Sequence, residues 1–149
     1  MQYDRKITIS AGSNRRAMTW QAQTMLISEL WARLQAPARG TETLAAYLNM
    51  KKAQQDDLKD VGGFMAGTLS GPRRKANNVT GRDVITLDLD NIPSGGTEDV
   101  LRRVEALGCG YCIYSTRKHS PAAPRLRVLL PTDRTMTADE YEPCARKMA

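Results

Sequence analysis

Apolar residues along the chain change period part-way, and that change divides it. Ile27, Leu30, Trp31 and Leu34 recur at i, i+3, i+4 and i+7, which predicts a helix that stops before Pro37. Leu44, Tyr47 and Leu48 predict a second, shorter helix. Residues 6–10 alternate weakly and read as a strand, followed by a loop at Ala11, Gly12, Ser13 and Asn14. Polar residues 51–60 lead into a stretch rich in Gly and basic residues, 62–78. That stretch reads as a hairpin or loop, either a plain surface turn or backbone able to approach a phosphate.

From Val84 onward the pattern sharpens. Residues 84–89 form a β-rich apolar run ending in acids. Thr97 reads as the cap of a helix with Glu98 and Asp99 in its first turn, an apolar face of Val100, Leu101, Val104 and Leu107, and a stop at Gly108. Residues 110–115 give a second strand and 125–130 a third, with Leu126, Val128 and Leu130 on one face and a turn marked by Pro121 and Pro124 between them. Thr137 through Glu140 is a capping box that opens a last helix. The order βαββα is an α+β, ferredoxin-like βαββαβ unit without its last strand, a layout in which helices cover one sheet face and leave the other available.

A length of 149 residues, 41% hydrophobic and 26% charged, suits one domain with a real core. We divide it into an N-terminal helical and Gly/basic region, 1–80, and a core, 81–149. No apolar run approaches the roughly twenty residues of a membrane span, and the first ten residues lack a signal-peptide core, so a cytoplasmic location is expected. Three cysteines in such a chain argue for reduced thiols. Cys109 and Cys112 differ by an odd number on a strand and point to opposite faces, so small buried cysteines fit better than a zinc site with His119 and Cys144. The net charge of +6 and the clusters Arg73-Arg74-Lys75 and Arg117-Lys118 admit two readings, a solvated basic surface or a nucleic-acid contact.

The chemistry concentrates around Asp88 and Asp90. The strand period puts both carboxylates on one face, with Cα atoms about 6.6 Å apart, close enough to share a divalent ion. His119, the single histidine, opens the turn after the second strand, and Arg125 and Arg127 share a face on the returning strand. If these strands pair, acids, histidine, hydroxyls and arginines converge on one face, as phosphoryl or nucleotidyl transfer requires. The competing reading is that Arg125 and Arg127 merely form salt bridges with the acids. A haloacid-dehalogenase-type phosphatase also places two acids after a strand, but Ile92 stands where that pattern has threonine.

Three motifs carry a resemblance: an apolar strand ending in D-x-D at 84–91, a serine-containing strand end leading to histidine at 115–119, and the segment 124–131 (PRLRVLLP). Asp60-Val61-Gly62-Gly63-Phe64 and Arg73-Arg74-Lys75 add to it. Together they resemble archaeo-eukaryotic primase superfamily proteins, in particular the primase-polymerase regions of phage and virulence-associated-E proteins. The resemblance implies an RRM-like catalytic core and DNA-primase-type nucleotidyl transfer with Mg²⁺ or Mn²⁺ on Asp88 and Asp90. It further implies that His119 contacts the incoming nucleotide's phosphates, with Ser115, Arg125 and Arg127 in the same pocket. Arg73, Arg74, Lys75, Arg117 and Lys118 would contact DNA. Nucleoside triphosphates, a single-stranded DNA template and a helicase domain or subunit are the implied partners, with no membrane. The family's third acidic motif has no counterpart before Ala149, so the chain is expected to be an incomplete and inactive form of that domain. The alternative is a DNA- or nucleotide-binding fragment without turnover.

Overall fold

The computed structural model describes residues 3–149. Strands β1 (Lys6–Gly12) and β2 (Gln21–Leu26) are followed by helices α1 (Ile27–Gln35), α2 (Leu44–Asn49) and α3 (Lys52–Lys59). Two short strands, β3 (Gly63–Met65) and β4 (Gly67–Leu69), lead through a 3-10 turn to β5 (Val79–Leu89), α4 (Thr97–Glu105), β6 (Cys112–Ser115), β7 (Leu126–Met136) and α5 (Ala138–Met148). Two antiparallel sheets result, ordered β2-β1-β3 and β4-β5-β7-β6. The expected α+β, βαββα core is therefore present as β5-α4-β6-β7-α5.

The N-terminal region differs from its helical reading, since it holds a sheet of its own. β2 reads as polar sequence because all six of its residues stay exposed or half-buried, so no alternation marks it. The 62–78 stretch is neither hairpin nor plain loop. β3 pairs with β1 and β4 pairs with β5, so the chain passes from one sheet to the other at the buried Ala66. Gly67 is required there: a Cβ would lie 2.0 Å from the Gly81 carbonyl oxygen.

Register decides what each face of the larger sheet meets. Ile85, Val128, Leu130 and Ile113 pack under α4 and α5 with Val104, Val100 and Tyr141. On the opposite face, Val84, Leu129, Cys112 and Tyr114 pack against Ile7, Ile9, Ile27 and Leu30 of the N-terminal sheet and α1. The second face is thus not left available along its whole length. The N-terminal region covers its upper half, and the end carrying Asp88 and Asp90 stays exposed.

Asp83 joins the two layers. Its carboxylate, 2% exposed, accepts from the Thr8 backbone N–H at 2.8 Å, Thr135 Oγ1 at 2.6 Å and the Arg5 guanidinium at 2.9 Å. Burial raises its pKa, but those donors outweigh burial and hold it below the ordinary aspartate value.

Capping follows the sequence at one helix and departs from it at another. Thr137 accepts from the Glu140 N–H, and Glu140 returns the bond to the Thr137 N–H. Thr97 is the first residue of α4 rather than its cap, and Gly96 takes the cap position without a side-chain bond. Gly108 adopts φ +65° beyond the helix end. Among the described residues no helix is long and apolar enough to cross a membrane.

β4 lies on the outer side of β5, antiparallel to it, but pairs only with residues 79–82. Beyond Arg82 the outer edge of β5 pairs with no strand among the described residues.

Candidate nucleotide and nucleic-acid site

Pairing aligns Asp88 with Arg127 and Tyr114, and Leu89 with Leu126 and Ser115. One residue on, the Thr116 N–H donates to the Arg125 carbonyl at 3.0 Å. Residues opposite one another in a ladder share a face. Asp88, Arg127 and Tyr114 therefore form one row across the exposed end of the sheet, and Asp90 and Arg125 begin the next.

Charge pairs run along these rows. Arg127 Nε donates to Asp88 Oδ1 at 2.5 Å, and Arg125 lies 3.2 Å from Asp90 Oδ1. Both carboxylates remain 55% exposed. Tyr114 lies under the Arg127 guanidinium, 6.0 Å from ring to cation, and its hydroxyl accepts from Arg127 Nη1 at 3.4 Å. Burial pushes the Arg127 pKa down, and the bonds to Asp88 and Tyr114 outweigh it to give a net rise. Arg127 is thus a permanent cation, oriented from two sides.

His119 is fixed by the same strand. Its Nδ1 accepts from the Arg125 backbone N–H at 3.1 Å. The Arg125 carbonyl oxygen lies 3.3 Å from the same Nδ1, so both groups of the Arg125 backbone hold the ring by Nδ1 and Nε2 is the nitrogen left for a ligand. Arg125 thus touches both, holding the imidazole with its backbone and Asp90 with its side chain.

Ser115 does not join the acids. It pairs with Leu126, so its register sets it on the face opposite the acids, at the exposed end of β6. It lines a cleft of about 400 Å³ shared with His119, Arg117, Tyr47 and Glu42. Arg117 pairs there with the nearly buried Glu42, and both Arg117 and Lys118 lie over the Tyr47 ring, at 4.7 and 6.0 Å. Glu42 and Tyr47 belong to another segment, and no spacing in the sequence could have joined them to residues 115–119. Tyr114 was legible, because the strand period sets it on the face of Thr116.

Arg73, Arg74 and Lys75 are exposed on the loop before β5, where Arg74 lies over the Trp20 ring at 5.3 Å. The cysteines are free thiols, but the buried reading holds only in part. Cys109 and Cys144 are exposed, while Cys112 is half-buried with its thiol pKa raised by burial.

The chemistry of the donor set limits which cation would fit. No group of three or more His, Cys, Asp or Glu side chains is placed to hold a metal among the described residues, which argues against a closed, all-protein site. Two carboxylates on one exposed face do suit Mg²⁺ or Mn²⁺ of the kind held by one or two carboxylates and completed by phosphate oxygens and water. Each carboxylate first has to release its arginine. Exposed pairs are worth about 0–1 kcal/mol, so that release is cheap.

Neither curated proteins nor solved structures give a match to the chain. A family model described as the VapE N-terminal domain matches residues 1–149, and the chain belongs to that family.

Proposed function

We propose that this domain binds a nucleoside triphosphate with a divalent metal as part of DNA-primase-type nucleotidyl transfer. Its family placement agrees with a phage- or virulence-associated protein related to replication. The observation that carries the reading is the exposed charge array of Asp88 with Arg127 and Asp90 with Arg125, with His119 anchored on Arg125. Surface ion pairs add little stability, so stability alone is a poor reason for two of them side by side at the uncovered end of a sheet.

In this reading Asp88 and Asp90 would hold Mg²⁺ or Mn²⁺, which supplies charge neutralisation for the triphosphate and the attacking hydroxyl. Arg127 and Arg125, released from the carboxylates, turn to phosphate oxygens, which guanidinium binds in the same forked geometry as carboxylate. His119 donates from Nε2 to a phosphate oxygen. Tyr114 keeps the Arg127 plane oriented during the exchange.

The test is binding of a labelled nucleoside triphosphate with Mn²⁺ to the chain and to its Asp88→Ala/Asp90→Ala variant in the same buffer. Metal-dependent binding that the variant loses supports the reading. Binding that is indifferent to both metal and substitution sinks it. One observation favours a second reading, in which nucleotide or DNA is held without turnover: among the described residues the two acids have no third carboxylate beside them. Under that reading, DNA binding weakens steeply with salt and ignores removal of divalent metal.

A further inference from the structure

Among the described residues five arginines are half-buried, and four of them, Arg5, Arg117, Arg125 and Arg127, each face a carboxylate. Arg82 is the fifth and faces none. Its guanidinium lies over the Tyr141 ring at 4.7 Å, and burial pushes its pKa down. A partly desolvated cation without an acceptor is costly until an acid reaches it.

Arg82 stands where a strand edge opens. β4 covers the outer edge of β5 only as far as Arg82, and from Val84 to Leu89 that edge has no strand beside it among the described residues. The Thr86 N–H turns instead to the Tyr141 hydroxyl at 3.3 Å, a long bond to a side chain where the carbonyl of a neighbouring strand would stand. Burial fades along the same strand: Ile85 is buried, whereas Leu87 and Leu89 are half-buried. Both leucines line a cleft of about 500 Å³ between β5 and α5, together with Val79, Tyr141 and Ala145. An open hydrogen-bonding edge, an apolar floor and a cation without a counter-charge thus meet in one place.

We infer that this cleft receives an extended segment of a partner protein, added as a strand antiparallel to β5, with apolar side chains at alternate positions toward α5 and an acidic residue against Arg82. In such additions backbone bonds to the edge supply affinity, and the alternate side chains select the sequence. β4 and β7 both run antiparallel to β5. A strand added in that direction brings its C-terminal end, and hence its acid, to Arg82. Charge decides against nucleic acid, because Asp88 and Glu142 line the same cleft and a phosphate backbone laid along β5 would meet both. Shape decides against a second copy, whose β5 edge comes with its own α5 beside it, whereas the cleft suits a bare strand. None of this requires nucleotide at Asp88 and Asp90.

The probe is a fluorescein-labelled, C-terminally amidated heptapeptide, VTVTVTE, whose valines and glutamate share one face when extended; the reversed sequence ETVTVTV is its control. Fluorescence anisotropy on the full chain should show saturable binding of the first, at least about fivefold tighter than of the second. Arg82→Ala should weaken it about tenfold through loss of a charge-assisted bond, yet change binding of VTVTVTQ by less than about twofold. Tyr141→Phe leaves the Thr86 N–H without its hydroxyl and should tighten binding up to about fivefold. Hydrogen exchange of the Thr86 amide, read by NMR, should slow when peptide is added. Thermal melts confirm that each variant is folded.

No binding of VTVTVTE by the folded chain, equal binding of the reversed peptide, or unchanged affinity in folded Arg82→Ala overturns the inference. Protection of the Thr86 amide by oligodeoxythymidine overturns it too, by giving the edge to nucleic acid. So does protection that rises with protein concentration alone and tracks a dimer in sedimentation, which gives the edge to a second copy.

Discussion

Asp83 and the Asp88/Asp90 pair stand on, or just beyond, the same strand, yet their surroundings set them to opposite tasks. Asp83 is buried between two sheets and accepts from a backbone amide, a hydroxyl and a guanidinium. Asp88 and Asp90 are more than half exposed, and each faces one arginine. A carboxylate whose acceptor sites are filled by the fold has nothing left to offer a ligand. One held by a single exchangeable partner does. Residue type and strand position say little about function until burial and partner count are known.

The largest effect expected is on stability. Asp83→Ala leaves Arg5 half-buried without its counter-charge and unties β1 from β5 and β7, so it should cost about 3–5 kcal/mol by urea denaturation. Asp88→Ala and Asp90→Ala should each cost less than about 1 kcal/mol. Equal losses at Asp83 and Asp88 would erase the distinction drawn between them.

Acid sharpens the same contrast. The Asp83 pKa is held below its ordinary value in the folded state, so the unfolded chain takes up its proton first as pH falls. The stability it contributes is full above the ordinary aspartate range and drains away as pH drops through that range to the folded value. Glu140, lowered to about 2 by Arg134 and the Thr137 cap, acts in the same direction. The midpoint of urea unfolding should therefore fall below about pH 4, and Asp83→Asn should flatten part of that fall. An unaltered pH profile in the variant would mean that the carboxylate's donors do not stabilise its charged form.

How much of this was legible follows from what each segment buries. The α1 stripe and the β5 and β7 runs meet dense cores, so Ile27, Leu30, Ile85 and Val128 announce their elements. β2 and α3 bury little, and their sequences read as polar connection. The acid, arginine and histidine rows could be drawn from the strand period once β5, β6 and β7 were expected to pair. Ser115 was grouped by motif and not by parity: it shares a cleft with His119, but its register sets it a face away from Tyr114 and the acids. Asp83 gives no signal in the sequence, because a lone acid at the start of an apolar run looks like a boundary. Its partners Arg5 and Thr135 are far off in sequence, and only the folded chain brings them to it.

The smallest effect concerns the exchange between carboxylate and phosphate. If Arg127 serves as a stand-in cation for Asp88, then Arg127→Ala removes a competitor for the metal and a ligand for the triphosphate at once. A surface pair is worth at most about 1 kcal/mol, so Mn²⁺ alone should bind the variant up to roughly fivefold more tightly than wild type. The Mn²⁺–triphosphate complex should bind it more weakly, because Arg127 no longer reaches a phosphate. Titration of Mn²⁺ by its electron paramagnetic resonance signal, with and without nucleotide, reads both changes in one sample. Opposite signs mean that the arginine exchanges partners. A loss in both titrations means that Arg127 holds Asp88 in position for the metal, which would bring the exposed pair closer in kind to the Asp83 network than its burial suggests.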